Sequence, residues 1–348
     1  TRIGDNRFNA RYGPQSSAER RATTRRIAEK YLARTAEFDP SSLPPEDRIS
    51  YDLLRYNLQQ MLDGLAYPSH WIPINQMFGQ HLSFAQLASG RTVQPFRNTQ
   101  DYDNWLARAG AFPGVIDGWI ADMRDGMKAG VVLPKALIRP ILPQLESLST
   151  EDLDKNVYMA PVRKFPAGIS EDDQKRLNGA FKALVQQQIA PAHRRLLDFM
   201  RESYLAAGRD SVGLSELPGG KAWYAFLARS STTTGLSPDE IHSIGLAEVS
   251  RIRGLFELTK ERVGFKGTLK EFVQHLNTAP ELRFKNREEI QSAYEGIRPR
   301  VNAKVPSFFG RLPKTPFEIR PVEAFREVAA APAQYSGGLS DGSRPGIF

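Results

Sequence analysis

The sequence predicts a mainly α-helical fold, one large helical domain with a small β-sheet near its C-terminal end. Three observations carry this. Apolar residues recur at helical spacing almost throughout the chain. Two capping signals, Ser170 and Ser237-Pro238-Asp239-Glu240, open long helices. Strand-like alternation is confined to Phe317-Glu318-Ile319-Arg320 and to Ile347-Phe348, where a second strand begins.

The elements follow in order. Residues 16–37 open on Ser16 and Ser17 and put Ile27, Ala28, Tyr31 and Leu32 on one helix face. Pro40, Pro44 and Pro45 break the chain, and a helix over 46–65 carries Leu54, Leu58, Met61 and Leu65 as one buried stripe. Residues 67–98, rich in Pro, Gly and aromatics, read as irregular with short helical pieces. Helices are predicted over Asp101–Ala109 and Gly114–Lys128, parted by Pro113, and over Lys135–Ser147.

Residues 154–169 read as a loop. Ser170 then caps a helix whose first turn holds Glu171, Asp172 and Asp173, favourable against the helix dipole. That helix runs towards Ala207 with a kink expected at Pro191. Gly219-Gly220-Lys221 lacks the rest of a P-loop and reads as a loop before a helix. In Ser237-Pro238-Asp239-Glu240 the Ser is the cap, Pro takes the first helical position and Glu closes a capping box. This helix reaches about Val263, and two more follow near 268–277 and 286–309.

Composition bounds the function. The chain has 348 residues, 41% hydrophobic and 25% charged, which are ordinary globular values. That length suits one large helical domain, or two lobes at 1–165 and 166–348. No stretch approaches the ~20 apolar residues of a membrane-spanning helix. Net charge is +8, but the cluster Arg20, Arg21, Arg25 and Arg26 shares its helix with Glu19, Glu29 and Glu37, as a solvated face does. No nucleic-acid partner is expected. The absence of Cys excludes disulfides, thiolate metal sites and Cys nucleophiles. Thr1 carries no start signal, and the chain stops as an apolar strand opens. The sequence is therefore expected to be an interior piece of a longer protein, truncated at both ends.

The residues that could carry chemistry are few. Among His70, His81, His193, His242 and His275, no two have the i,i+3 or i,i+4 spacing of a helical zinc site. Gly338-Leu339-Ser340-Asp341-Gly342 matches G-x-S-x-G, yet Arg344-Pro345-Gly346 follows instead of a helix and no His lies downstream. It reads as a glycine-rich turn. No catalytic residue and no metal ligand is assigned.

Glu248 lies one turn from both Ile244 and Ile252 in an apolar stripe that continues to Leu255. A carboxylate there is expected to be buried and paired with Arg251, since an unpaired buried ion costs several kcal/mol. In the run 335–346, Tyr335 and Arg344 accompany glycines that permit close backbone approach, and an Arg can hold a carboxylate in bidentate fashion. A turn with an exposed Arg is the competing reading.

Several segments together resemble the bacterial proteins grouped as domain of unknown function 885. They are Thr1-Arg2-Ile3-Gly4-Asp5-Asn6-Arg7-Phe8, Asp101-Tyr102-Asp103-Asn104-Trp105-Leu106-Ala107-Arg108 and Met127 through Lys135. Gly235 through His242, with Gly245-Leu246, Glu248-Val249 and Arg251-Ile252, and finally Asp341 through Phe348, complete the set. The likeness runs in order over nearly the whole chain.

In that family the strand opened here continues into a helix bearing H-E-x-x-P-G-H-H, which suggests a gluzincin-like zinc metallopeptidase. The motif's own Glu would act as general base towards bound water. The resemblance thus implies Zn in the parent protein, none in this chain, and a catalytic helix that these residues lack. It implies a peptide substrate and a strand at Ile347-Phe348 bordering the cleft, with Tyr335 and Arg344 near substrate. The missing C-terminal part of the same protein, or another copy, would cover that edge. It also implies a periplasmic or secreted protein, in some members lipid-anchored. On this reading the chain alone neither binds zinc nor hydrolyses peptide. The alternative is a non-catalytic helical binding protein that has lost the zinc helix.

Overall fold

The computed structural model describes residues 6–13, 17–77, 79–90, 92–313, 315–323, 327, 331, 333–339, 342 and 344–348. Thr1–Asp5 of the first resembling segment, the helix-opening Ser16, and Ser340, Asp341 and Ser343 of the C-terminal turn lie outside them. The described residues are mainly helical, with one two-stranded parallel sheet near the C-terminal end.

The chain divides into two compact units: residues 1–226 with 322–331, and residues 227–321 with 332–348. The first unit holds α1 (Ser17–Thr35), α2 (Pro45–Gly64), α3 (Gln80–Ala88), α4 (Thr99–Gly110), α5 (Phe112–Ala129), α6 (Lys135–Ile138), α7 (Ile141–Leu148), α8 (Ala160–Arg163), α9 (Glu171–Leu184), α10 (Ala190–Phe199) and α11 (Leu205–Ala207). The division does not fall at 165. A buried hydrogen bond ties the sequence on either side of that point: Tyr158 Oη meets His193 Nε2 at 3.0 Å.

The core of the first unit explains its helices. α5 buries Val115, Ile116, Trp119 and Met123, and α10 buries Leu196 and Leu197, at the spacing of one helix face. Phe84 stacks on Phe112 at 3.8 Å and on Trp105 at 5.1 Å. Each large side chain so buried contributes about 1.5–3 kcal/mol before entropy is subtracted. The helix expected over 135–147 is two pieces, α6 and α7, because Pro140 cannot donate to the helical ladder.

From 171 to 207 the chain is helical without a break, and where a kink was expected at Pro191 the helix has a wide turn just before it. Val185–Ile189 is π-helical, with Ala190 N–H donating to the Val185 carbonyl. A second π segment, Met200–Tyr204, follows. Two predicted stripes are only partly buried. Ala28 and Leu58 are inside, whereas Ile27, Tyr31, Leu54 and Met61 are exposed.

α12 (Gly220–Thr232) begins in the first unit, where Trp223 and Phe226 pack with Val131 and Leu217. The second unit contains α13 (Pro238–Arg262), α14 (Leu269–Thr278), α15 (Arg287–Lys304), β1 (Phe317–Glu318) and β2 (Gly346–Ile347). The capping box at Ser237 and Glu240 forms as the sequence requires, and Thr268 with Glu271 forms a second. α15 ends at Lys304, before Pro306, rather than running to 309.

Candidate functional site

The C-terminal turn is built on the small sheet. β1 and β2 pair in parallel, Phe317 opposite Gly346 and Glu318 opposite Ile347. On the other side of β2, Ser336 and Ile347 exchange N–H···O bonds of 2.7 and 2.8 Å in antiparallel sense. Between these arms the chain reverses: Gly342 takes φ +75° and donates to the Leu339 carbonyl, and Leu339 N–H donates to the Arg344 carbonyl. Leu339, Gly342 and Arg344 thus form a reversal, and Ser340 and Asp341 of the G-x-S-x-G match lie outside the described residues.

Tyr335 stands at the edge of this turn, 60% exposed. Its ring lies against Gly346, where an added Cβ would fall 3.0 Å from Cζ and closer still to the hydroxyl, so a side chain there would push the exposed ring aside. Arg344 points back onto its own turn. Nη2 donates to the Gly337 carbonyl at 2.5 Å and Nη1 to the Pro345 carbonyl at 3.3 Å, while Nε is buried with no hydrogen-bond partner among the described residues. The guanidinium thus ties the two arms of the turn together, and Tyr335 is the exposed side chain beside it.

α15 supports the sheet with two residues four apart. Tyr294 packs its ring on Phe348 at 5.4 Å, and Arg298 Nη1 donates to the Phe317 carbonyl at 3.1 Å while pairing with Glu295. Neither was singled out in the sequence. Their i,i+4 spacing was visible, but their partners lie far along the chain.

Glu248 and Arg251 form the expected pair, with Arg251 Nη2 2.8 Å from Glu248 Oε2. The pair is not buried: the Arg251 and Glu248 side chains are 59% and 50% exposed. The expectation failed because the stripe around Glu248 is itself open. Among the described residues of α13 none is buried, and Ile244, Ile252 and Leu255 are exposed. An apolar stripe needs a neighbouring element to become a core, and periodicity alone does not supply one.

The five histidines divide between the units, His70, His81 and His193 in the first and His242 and His275 in the second. His70 lies near Arg21, with Nδ1 3.4 Å from Nη1; burial first and then that guanidinium lower its pKa. His81 and His193 are fully buried, bonded to Gln144 and Tyr158, and burial pushes them down to about 4 and about 3. His242 is exposed on α13, and His275 stacks on Phe265 at 5.4 Å. Among the described residues no three His, Asp or Glu side chains stand together as metal ligands, so the donor set here does not fit a zinc ion. Of the α1 arginines, Arg21 is engaged by the Leu65 and Tyr67 carbonyls. Among the described residues no helix is long and apolar enough to cross a membrane.

The family model described as "Bacterial protein of unknown function (DUF885)" matches residues 1–348, the whole chain. The chain belongs to the DUF885 family. This DUF885 chain is also similar in structure to a protein from Colwellia psychrerythraea, described as "the putative lipoprotein", with a TM-score of 0.80 at 21% identity. The match covers 98% of this DUF885 chain and 60% of that one, so the chain spans under two thirds of its neighbour's length. At that identity the likeness establishes a shared fold. No curated protein matches.

Proposed function

We propose that this DUF885 chain is the scaffold and substrate-cleft part of a zinc-dependent metallopeptidase-like protein, acting on peptides, with the zinc-holding helix outside these residues. The observation that carries the reading is the C-terminal turn. Tyr335 stands exposed over Gly346, on the strand that the family resemblance puts beside the cleft. In this reading Tyr335 offers a substrate residue an aromatic face, and Arg344 positions it by holding Gly337 and Pro345. Arg344 as a carboxylate clamp would first have to leave those carbonyls. Zinc, where the protein holds it, would supply an activated water.

A periplasmic or secreted location, with a lipid anchor, is part of the same proposal, and the description of the Colwellia psychrerythraea protein as a lipoprotein supports it. The second reading, a non-catalytic helical binding protein, is favoured by the open apolar face of α13. One experiment separates them. The protein encoded by the intact gene is purified, analysed for zinc and assayed on a peptide library. One equivalent of zinc with hydrolysis lost in Tyr335→Ala supports the first reading; a folded protein with neither zinc nor hydrolysis sinks it.

A further inference from the structure

β1, β2 and residues 335–337 lie side by side in the second unit. Along a paired strand, successive residues turn their backbone groups to alternate sides. Gly346 N–H donates to the Pro316 carbonyl at 2.9 Å and Phe348 N–H to the Glu318 carbonyl at 2.8 Å. The Phe317 carbonyl, between those two acceptors, therefore faces away from β2. A carbonyl on an outer edge still needs a donor. Arg298 of α15 supplies it, Nη1 to oxygen at 3.1 Å, and Glu295, one turn back, holds the same guanidinium through Nη2 at 2.8 Å. A charged donor makes a stronger bond than a neutral one.

The bond falls on one row of the sheet. Phe317 stands opposite Gly346, and the Tyr335 ring lies against the same glycine. Ile347, the next residue, exchanges the 2.7 and 2.8 Å bonds with Ser336 that fix the backbone beside Tyr335. The β1–β2 ladder is two residue pairs long, which is marginal without support from a packed element. α15, 18 residues from Arg287 to Lys304, is that element. The Tyr294 ring on Phe348 adds apolar packing, and Arg298 adds the directional bond.

We propose that Arg298 is a positioning residue: by holding the Phe317 carbonyl it sets the row on which Tyr335 stands. The proposal rests on the reading of Tyr335 as a contact for the peptide, and adds the residue that keeps that aromatic face in place.

The test uses the protein encoded by the intact gene. Arg298→Met keeps the length of the side chain and removes the donors; Arg298→Lys keeps a charged donor. Hydrogen exchange of the Ser336 and Phe348 amides should be about tenfold or more faster in Arg298→Met and slowed again in Arg298→Lys. Glu295→Gln, a milder change, should move the same amides in the same direction by less. On a hydrolysed peptide, Arg298→Met should raise KM several-fold with kcat little changed, and Arg298→Lys should restore KM. Ser237→Ala, which removes a cap on α13 in the same unit, should leave KM where it is. Unchanged exchange at Ser336 and Phe348 in Arg298→Met overturns the proposal. So does an unchanged KM in that variant, or an equal rise in Ser237→Ala. A protein that hydrolyses no peptide sinks the peptidase reading alone, and the exchange rates then decide whether Arg298 holds the row.

Discussion

Tyr158 and His193 meet in the centre of the first unit, Oη to Nε2 at 3.0 Å, both fully buried. A second buried imidazole, His81, bonds through Nε2 to Gln144 Oε1 at 3.2 Å. Gln144 gives its own N–H to the Gln76 carbonyl, so its oxygen accepts and His81 carries the proton on Nε2. Both rings are neutral in the fold, and the Nδ1 atoms of both are without a hydrogen-bond partner among the described residues.

The two histidines should make the protein acid-labile. Their folded pKa values are about 4 and about 3, below the 6.5 of the unfolded chain. Between those limits the unfolded state binds more protons, so stability falls as pH drops from about 6.5 towards 4 and 3. Above neutrality they contribute no pH dependence. A tenfold change in proton affinity is worth about 1.4 kcal/mol, so the loss is on the order of several kcal/mol. The depressed carboxylates Glu240 and Glu271 add losses only at lower pH, as it falls through their folded values. Urea unfolding at pH 7.5, 5.5 and 4.5 reads this, and His193→Gln should flatten the profile. An unchanged slope in that variant would remove His193 as the cause.

Gly346→Ala should push the exposed Tyr335 ring aside and destabilise the C-terminal sheet by no more than about 1 kcal/mol, below the cost of overpacking a closed core. In the double variant with Tyr335→Ala the collision is gone, so the two changes together should cost less than their sum. Additive losses in thermal unfolding would place the Gly346 requirement elsewhere.

Glu248→Ala should change stability by no more than about 1 kcal/mol, since an exposed ion pair is worth little. A Tm drop equivalent to several kcal/mol in the protein encoded by the intact gene would mean that the pair is covered there.

Ser237→Ala and Thr268→Ala each remove the side-chain half of a capping box. Each should cost about 0.5–2 kcal/mol and accelerate hydrogen exchange in the first turn of its own helix. Exchange spread evenly over the first unit instead would contradict a local role.

Much of the local structure was legible. Ser170, Ser237 and Pro238 act through the few residues beside them, so the starts of α9 and α13 could be placed from sequence. Tyr335 and Arg344 were picked out by their company of glycines. What each does was not legible, because Arg344 spends its donors on carbonyls whose positions depend on the turn.

By itself, then, the sequence determined the helical class, the caps at Ser170 and Ser237 and the family, all of which rest on short-range geometry or on the order of the segments. The tertiary structure decided which apolar stripes became core. Leu196 and Leu197 of α10 are buried because α5 and α7 pack against that helix. The equally regular stripe of α13 stays open. Burial is a property of two surfaces, and a helix carries only one of them.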